Sequence, residues 1–237
     1  MRALFLAGSL ILTALVATGA SLTGDEPQKP HNIAVVSKFE TTMYKIRIGL
    51  GGLFDDSDET KDVSEWHIAE TSETDMVALL KQKGVGENVA VLHQTGPRAH
   101  GGEGRHDEQL PLIQLAREAG FDTIVVIQPD KNDTFPLLKP GYGICGKPQI
   151  IDPIRVYAYA LFEVEVFRTA DAKLIDWQYG YRSSRFFGEG PCDDLGAVPW
   201  KDTLAEYTAE DMATVEAAVK ARIQAGLARA LDHLDFQ

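Results

Sequence analysis

The densest group of chemically capable side chains in this sequence lies between His100 and Asp107. His100, Glu103, His106 and Asp107 occur there among glycines. Imidazoles and carboxylates are ligands that Zn²⁺ prefers, so the stretch is a candidate metal site and a candidate hydrolase centre. The spacing matches no established metalloenzyme motif such as His-Glu-x-x-His. The glycines would also let backbone amides approach an anion at the start of the next helix, and both alternatives stay open.

A second acidic stretch, Asp55 to Asp62, invites a calcium interpretation. Counted from Asp56, Lys61 stands where an EF-hand loop requires glycine, and His67 stands where it requires a bidentate glutamate. The stretch therefore predicts a solvated acidic loop. The sequence also has no Gly-x-Ser-x-Gly nucleophile elbow, and we expect neither a catalytic residue nor a cofactor.

Cys145 and Cys192 are the only cysteines, and an even pair in an exported protein predicts a disulfide. An aromatic hairpin lies between them, so both fall beyond its open end. In the entropic model, closing a loop of this size would stabilise the fold by about 4 kcal/mol. The alternative is two separate thiols. Close by, Gly141-Tyr-Gly143 predicts a tight turn, and Tyr142 is a candidate contributor to a binding surface.

The hairpin that separates the cysteines runs from Ile154 to Phe187. Along its first arm, apolar residues at every second position alternate with a set that includes Glu163 and Glu165, as expected when successive side chains of a strand point to opposite faces. The two glutamates predict that their face is the wetter one. Thr169 to Lys173 supplies the turn. In the second arm, one face carries the apolar and aromatic residues Ile175, Trp177, Tyr179 and Tyr181.

Alternating buried strands and amphipathic helices precede this hairpin, and a long helix follows it. This order predicts an α/β fold with a mixed sheet, parallel pairing in the core, and a carboxy-terminal helix packed on the sheet. A Thr208 cap with Asp211 three residues later marks the start of that helix. The predicted strands of the core are Ile33–Val36, Met43–Leu50, Val63–Ile68, Val89–Leu92 and Thr123–Ile127, and its predicted helices begin at Thr71 or Ser72 and at Leu110.

The first residues predict a secretory signal. Met1-Arg2 is followed by an uncharged apolar run from Ala3 to Ala20, with small residues at its end. We expect cleavage near Ala20, a polar leader over residues 21–32 and a single domain over 33–237. A retained membrane anchor is the alternative.

Composition limits the partners that are expected. The chain has 237 residues and a formal net charge of −12, and it lacks a basic stripe that would replace phosphate counterions. Nucleic-acid binding and stable membrane insertion after cleavage are therefore not expected. An envelope protein is the expected partner class, and the oligomeric state stays open.

Four short motifs followed by the aromatic hairpin resemble a group of uncharacterised exported bacterial proteins. The motifs are Ile33-Ala-Val-Val-Ser37, Val63-Ser-Glu-Trp-His-Ile68, Phe121-Asp-Thr-Ile-Val-Val126 and Gly141-Tyr-Gly143. More distantly, the chain is similar to small α/β domains of the TolB amino-terminal and curli-secretion lipoprotein type. The resemblance implies an envelope component rather than an enzyme. The lipidated cysteine of the lipoprotein members is missing, so an envelope role would depend on protein contacts.

Sequence reasoning thus favours a soluble periplasmic or secreted protein with a binding or envelope-assembly role and no catalytic activity. The alternative is a metal-assisted hydrolase that uses the stretch from His100 to Asp107.

Overall fold

The computed structural model describes residues 30–48, 55–92, 106–130, 138–147, 154–181 and 192–236, with the backbone alone at 55–58, 106 and 107. The predicted signal, residues 1–20, and most of the predicted leader lie outside the described residues.

The described elements comprise nine strands and three α-helices. The strands are β1 Asn32–Ser37, β2 Thr42–Ile48, β3 Asp55–Asp62, β4 Asn88–Val91, β5 Thr123–Pro129, β6 Gly141–Lys147, β7 Arg155–Arg168, β8 Lys173–Tyr179 and β9 Cys192–Asp194. The helices are α1 Ile68–Gln82, α2 Leu110–Glu118 and α3 Ala209–His233. Within the described ranges, no helix combines the length and apolar character needed to cross a membrane.

These strands form one mixed sheet in the order β3-β2-β6-β7-β5-β1-β4, and β8 and β9 also pair with β7. β1 is parallel to β4 and β5, and β2 is parallel to β6. β7 is antiparallel to all of its partners. The predicted α/β class, the parallel core and the hairpin of β7 with β8 are confirmed.

β7 is the central strand of this sheet. Its residues 155–161 pair with β6, and residues 162–168 pair with β5. β9 and β8 likewise pair with its earlier and later parts. Because β1 pairs with β5 and β2 pairs with β6, every described strand is linked directly or through one or two others to β7.

Helices cover the two faces of the sheet unequally. α1 and α3 pack against each other and against β1 and β7, over the larger apolar core, whereas α2 packs against β5 on the other face. The predicted position of the terminal helix is confirmed. So is its cap, because the Thr208 hydroxyl accepts from the Asp211 amide while the Asp211 carboxylate accepts from the Thr208 amide.

Two segments predicted as loops are strands instead. Asp55–Asp62 is edge strand β3, paired with β2, and charge on an edge strand is a common protection against further strand pairing. Gly141–Lys147 is β6, so Tyr142 lies within a strand rather than at a tight turn. Gly143 is required there, since an added Cβ would overlap the backbone of Tyr44 in β2. Neither strand shows an apolar alternation, because β3 is polar throughout and β6 contains three glycines.

The start of α1 was also predicted wrongly. Ser64–Trp66 forms a 3₁₀ turn rather than a strand, and α1 begins at Ile68 after His67, which has a left-handed φ of 49°. In α2, Ile113 and Ala116 form the buried side, while Leu115 is 38% exposed.

The charged side chain of Lys45 in β2 is buried. Its Nζ donates to the Asp202 carbonyl at 2.5 Å, lies 3.4 Å from Glu59 Oε2, and lies 4.6 Å from the ring centroid of Trp200. These contacts replace the water that burial removes.

Close packing of α3 on the sheet gives a first test. An added Cβ at Gly226 would lie inside contact distance of the Gly180 carbonyl oxygen and 2.6 Å from Phe162 Cζ. Overpacking of about 1–3 kcal/mol should outweigh the gain in helix propensity of up to about 1 kcal/mol. We therefore expect Gly226→Ala to lower the free energy of unfolding by about 1 kcal/mol, measured by urea denaturation.

The matched control is Gln224→Ala, at an exposed position of the same helix. It should change stability by no more than about 0.5 kcal/mol. A Gly226→Ala variant as stable as this control would mean that α3 does not need the close approach.

Candidate functional site

The most unusual group of side chains in the described residues is buried beside β7. We call Lys38, Gln109, Gln128, Glu163 and Glu165 the carboxyl cluster. Lys38 directly follows β1, Gln128 is next to last in β5, and Gln109 directly precedes α2. The cluster thus lies at the carboxyl ends of two parallel strands, where open α/β sheets commonly bind ligands.

Strand register explains why the two glutamates lie together. Glu163 is directly opposite Gln128, and Glu165 is opposite Val126. Alternate residues of β7 point to the same face, so both carboxyls lie on the face that α2 covers. On this face they separate one apolar cluster, which includes Phe167, from another, which includes Leu161.

The glutamates were expected on a wetter face, and that expectation is wrong. Glu165 is 6% exposed and Glu163 is 9% exposed, while Gln109 is fully buried. The predicted alternation is correct, but helices cover both faces of β7, with α3 on one face and α2 on the other.

Hydrogen bonds from side-chain amides run from Gln109 through Gln128 to Glu163. Gln109 Nε2 donates to Gln128 Oε1 at 2.5 Å, and Gln128 Nε2 donates to Glu163 Oε1 at 2.7 Å. Lys38 Nζ also donates to Gln128 Oε1, at 3.4 Å. These bonds fix the orientation of the Gln128 amide, because its oxygen receives two donors and its nitrogen faces a carboxyl oxygen.

Two acceptor atoms of the carboxyl cluster have no hydrogen-bond partner among the described residues. They are Glu165 Oε2 and Gln109 Oε1, and both are buried. An unsatisfied buried polar group costs on the order of 1–3 kcal/mol. When Glu165 is ionised, the cluster therefore has more acceptors than its own donors satisfy, whereas the protonated carboxyl can itself donate.

Burial also changes the acidity of the cluster. It raises the pKa of Glu163 to about 7, and the Asp130 charge raises it further. Burial, followed by the charge of Glu163, raises the pKa of Glu165 to about 8. Burial lowers the pKa of Lys38, although the charges of nearby carboxylates oppose that change. Near neutral pH the two carboxyls can exchange protons, accept donors or balance a cation.

A row of aromatic side chains borders the carboxyls. Trp177 is directly opposite Glu165 and Tyr179 is directly opposite Glu163, so each pair shares a face of the sheet. The Trp177 and Tyr179 ring centroids are 4.8 Å apart, and those of Tyr179 and Tyr181 are 5.1 Å apart. We call these three residues the aromatic row. Trp177 is 41% exposed, so the row extends from the cluster to the surface.

The candidate site predicted from sequence lies mostly outside the described residues. His100 and Glu103 are not described, and His106 and Asp107 belong by their backbone to a 3₁₀ turn, His106–Gln109, directly before α2. Across the ranges that the structure describes, no group of three or more His, Cys, Asp or Glu side chains is arranged to hold a metal ion. Metal or anion binding by the stretch from His100 to Asp107 stays a prediction.

Tyr142 is buried against Phe39 and Trp66, and its hydroxyl donates to the Glu40 carbonyl at 2.8 Å. It also lines a cavity of about 240 Å³ with Thr42 and Tyr44, among others. A role for Tyr142 in ligand binding stays a prediction.

Sequence reasoning did not identify the carboxyl cluster, although it noticed part of it. The available signal was Glu163 and Glu165 at alternate positions of an otherwise apolar strand. Lys38, Gln109 and Gln128 gave no comparable signal, because their common position depends on the pairing of β1, β5 and β7.

Proton linkage at Glu165 gives a second test. Its folded pKa is about 8, above the ordinary value of 4.5, so the folded protein binds more protons than the unfolded chain between these pH values. The stabilisation that protonated Glu165 contributes is fully present below about pH 4.5 and is lost as the pH rises through about 8. Glu165→Gln removes this loss. Between pH 5 and pH 8.5 we therefore expect the free energy of unfolding to fall by about 4 kcal/mol less in Glu165→Gln than in wild type.

Urea denaturation at the two pH values measures this difference. Glu118→Gln, an exposed change on α2, is the control and should follow the wild-type pH dependence. Charges of Lys38, Glu108, Asp130 and Glu163 also act on the site, and these variants leave all four unchanged. A Glu165→Gln protein with the wild-type pH dependence would contradict the assignment.

Cys145 and Cys192 are thiols in the structure, with their Sγ atoms 3.6 Å apart. Cys145 is opposite Tyr157 and Cys192 is opposite Tyr159, so β7 brings β6 and β9 together. The hydrogen bond to Cys192 and burial raise the pKa of the Cys145 thiol. The two residues are neighbours, but no bond joins them, and the disulfide stays a prediction.

Oxidation of this pair gives a third test. A bond would need the sulfurs to approach to about 2.05 Å. We expect protein purified without reductant to carry no alkylatable thiol, and reduction to lower the free energy of unfolding by about 4 kcal/mol in the entropic model. Mass spectrometry after alkylation, before and after reduction, counts the thiols. Two labelled thiols without reduction would rule out the bridge.

Comparison with known proteins gives distant structural similarities. No protein-family model and no curated protein matches the sequence. A crystal structure of a DUF330 family protein from Xanthomonas campestris has 8% identity and a TM-score of 0.36, over 86% of this chain and 85% of that one. A PelC dodecamer from Paraburkholderia phytofirmans has 11% identity and a TM-score of 0.26, over 82% of this chain and 89% of that one. Similarities of this size do not establish a common fold or function.

Proposed function

We propose that this protein is an exported binding protein that holds a small ligand at the carboxyl cluster and serves an accessory role in the cell envelope. The observation that carries the proposal is the pair of unpartnered buried acceptors, Glu165 Oε2 and Gln109 Oε1. A ligand that donates hydrogen bonds would satisfy both atoms.

The position of the cluster supports a binding role. Parallel strands β1 and β5 end there, and the chain leaves the sheet at that edge. The Gln109 and Gln128 amides are held by hydrogen bonds, so the acceptors are oriented before a ligand arrives. Preorganised polar groups reduce the entropic cost of binding.

Export is supported by the sequence alone. The uncharged apolar run from Ala3 to Ala20 after a basic start is typical of a secretory signal, and cleavage near Ala20 would release a periplasmic or secreted protein. An envelope protein would be the partner in an assembly role.

A thermal-shift screen tests the binding role. The full chain is expressed in a bacterium, the extracytoplasmic fraction is collected, and amino-terminal sequencing checks cleavage near Ala20. The purified protein is then screened against neutral, anionic and cationic small molecules. A ligand at 100 times its dissociation constant stabilises the fold by about 2.7 kcal/mol, which should raise Tm by roughly 5–10 °C.

Glu165→Gln should remove most of this Tm increase, because the ligand loses a charged acceptor, while the exposed control Glu118→Gln should retain it. Hits that stabilise both variants equally would locate binding elsewhere. A screen without any hit would overturn the binding role, and a chain retained in the cytoplasm with residues 1–20 intact would overturn export.

A further inference from the structure

The carboxyl cluster and the aromatic row together define a ligand class. We propose that the site binds a protonated primary amine, with its ammonium group between Glu163 and Glu165 and against the ring face of Trp177 or Tyr179. The inference rests on the proposed binding function and names the chemistry of its ligand.

Hydrogen bonding is the first argument. Glu165 Oε2 and Gln109 Oε1 accept from none of the described residues, and the nearby amide nitrogens already donate within the cluster. When Glu165 is ionised, a ligand can supply the missing donors. A primary ammonium group carries three N–H donors and no acceptor, which matches this surplus.

Charge is the second argument. Lys38 is the one cation in the cluster, whereas Glu108, Glu163 and Glu165 all act electrostatically on it, and Asp130 acts on both cluster glutamates. Removing carboxylates from water is costly unless a cation accompanies them. The excess of carboxyl groups over cations favours a positive ligand and opposes an anion.

The aromatic row is the third argument. Directly opposed residues in antiparallel strands have Cβ atoms about 4.5–5.5 Å apart, which places Trp177 beside Glu165 and Tyr179 beside Glu163. Ring faces attract cations within about 6 Å. Trp177 is 41% exposed, so one end of the row meets solvent.

These observations separate an amine from other ligands. A divalent metal ion is disfavoured, because no suitable group of three or more ligating side chains occurs in the described ranges. A neutral alcohol would supply a donor but would leave the carboxylate charge uncompensated. A quaternary ammonium ion would supply charge but no N–H, and would leave the two acceptors unsatisfied.

Nuclear magnetic resonance titration of the indole N–H of Trp177 tests the inference, with the signal assigned from Trp177→Phe. The probes are n-propylammonium chloride, n-propanol and tetramethylammonium chloride. We expect n-propylammonium to bind with a dissociation constant on the order of millimolar, as for a small fragment, and at least about tenfold more tightly than either other probe.

Glu165→Gln should weaken n-propylammonium binding about tenfold or more, whereas Glu118→Gln should not change it. Circular dichroism checks that both variants fold. Binding should also tighten between pH 5.5 and 8.5, since the carboxyls lose their protons over this range while the amine remains charged.

The outcomes separate the two proposals. If n-propanol or an anionic screening hit shifts the Trp177 signal and n-propylammonium does not, the amine is the wrong ligand class and the binding function stands. Equal binding of n-propylammonium by wild type and Glu165→Gln would also overturn the amine site. If no probe and no screening compound binds, both proposals fail.

Discussion

Backbone pairing along β7 is the constraint on which the rest of this structure depends. Its fourteen residues hydrogen-bond with β5 and β6 in succession, and with β8 and β9 as well. Once this register is set, the alternation of side chains along the strand decides which of them face α1 and α3 and which face the opposite side. A slip of one residue would exchange the two sets, so the two apolar faces together specify the register.

This constraint also explains why the candidate site costs stability. Val164 and Val166 lie under the helices, and the same alternation forces Glu163 and Glu165 into the other covered face. There the strand carries carboxyls where its neighbours Leu161 and Phe167 are apolar. Burial then raises both glutamate pKa values. Groups that weaken the fold in this way are concentrated at functional sites, which is the physical reason for placing a ligand there.

Three chemically distinctive regions among the described residues depend on the pairing of β7. The carboxyl cluster and the aromatic row are cross-strand neighbours on β7 and β8, while the thiols of Cys145 and Cys192 are held near each other by β6 and β9. Gly226 allows α3 to approach Phe162 of β7 on the helical face. A change in the pairing of β7 would therefore disturb packing, the candidate ligand site and the thiol pair together.

The sequence by itself determined the elements whose signals are local. Alternating side chains predicted the β7–β8 hairpin, and continuous apolar runs predicted β1, β4 and β5. Thr208 with Asp211 predicted the start of α3. Only the tertiary structure decided that Asp55–Asp62 and Gly141–Lys147 are strands, because the first is polar throughout and the second contains three glycines, so neither has the apolar alternation that predicts a strand. It also decided that Glu163 and Glu165 are buried with Gln109 and Gln128, since burial depends on which elements cover a face. Periodicity identifies the two faces of a strand, but only packing determines which of them meets water.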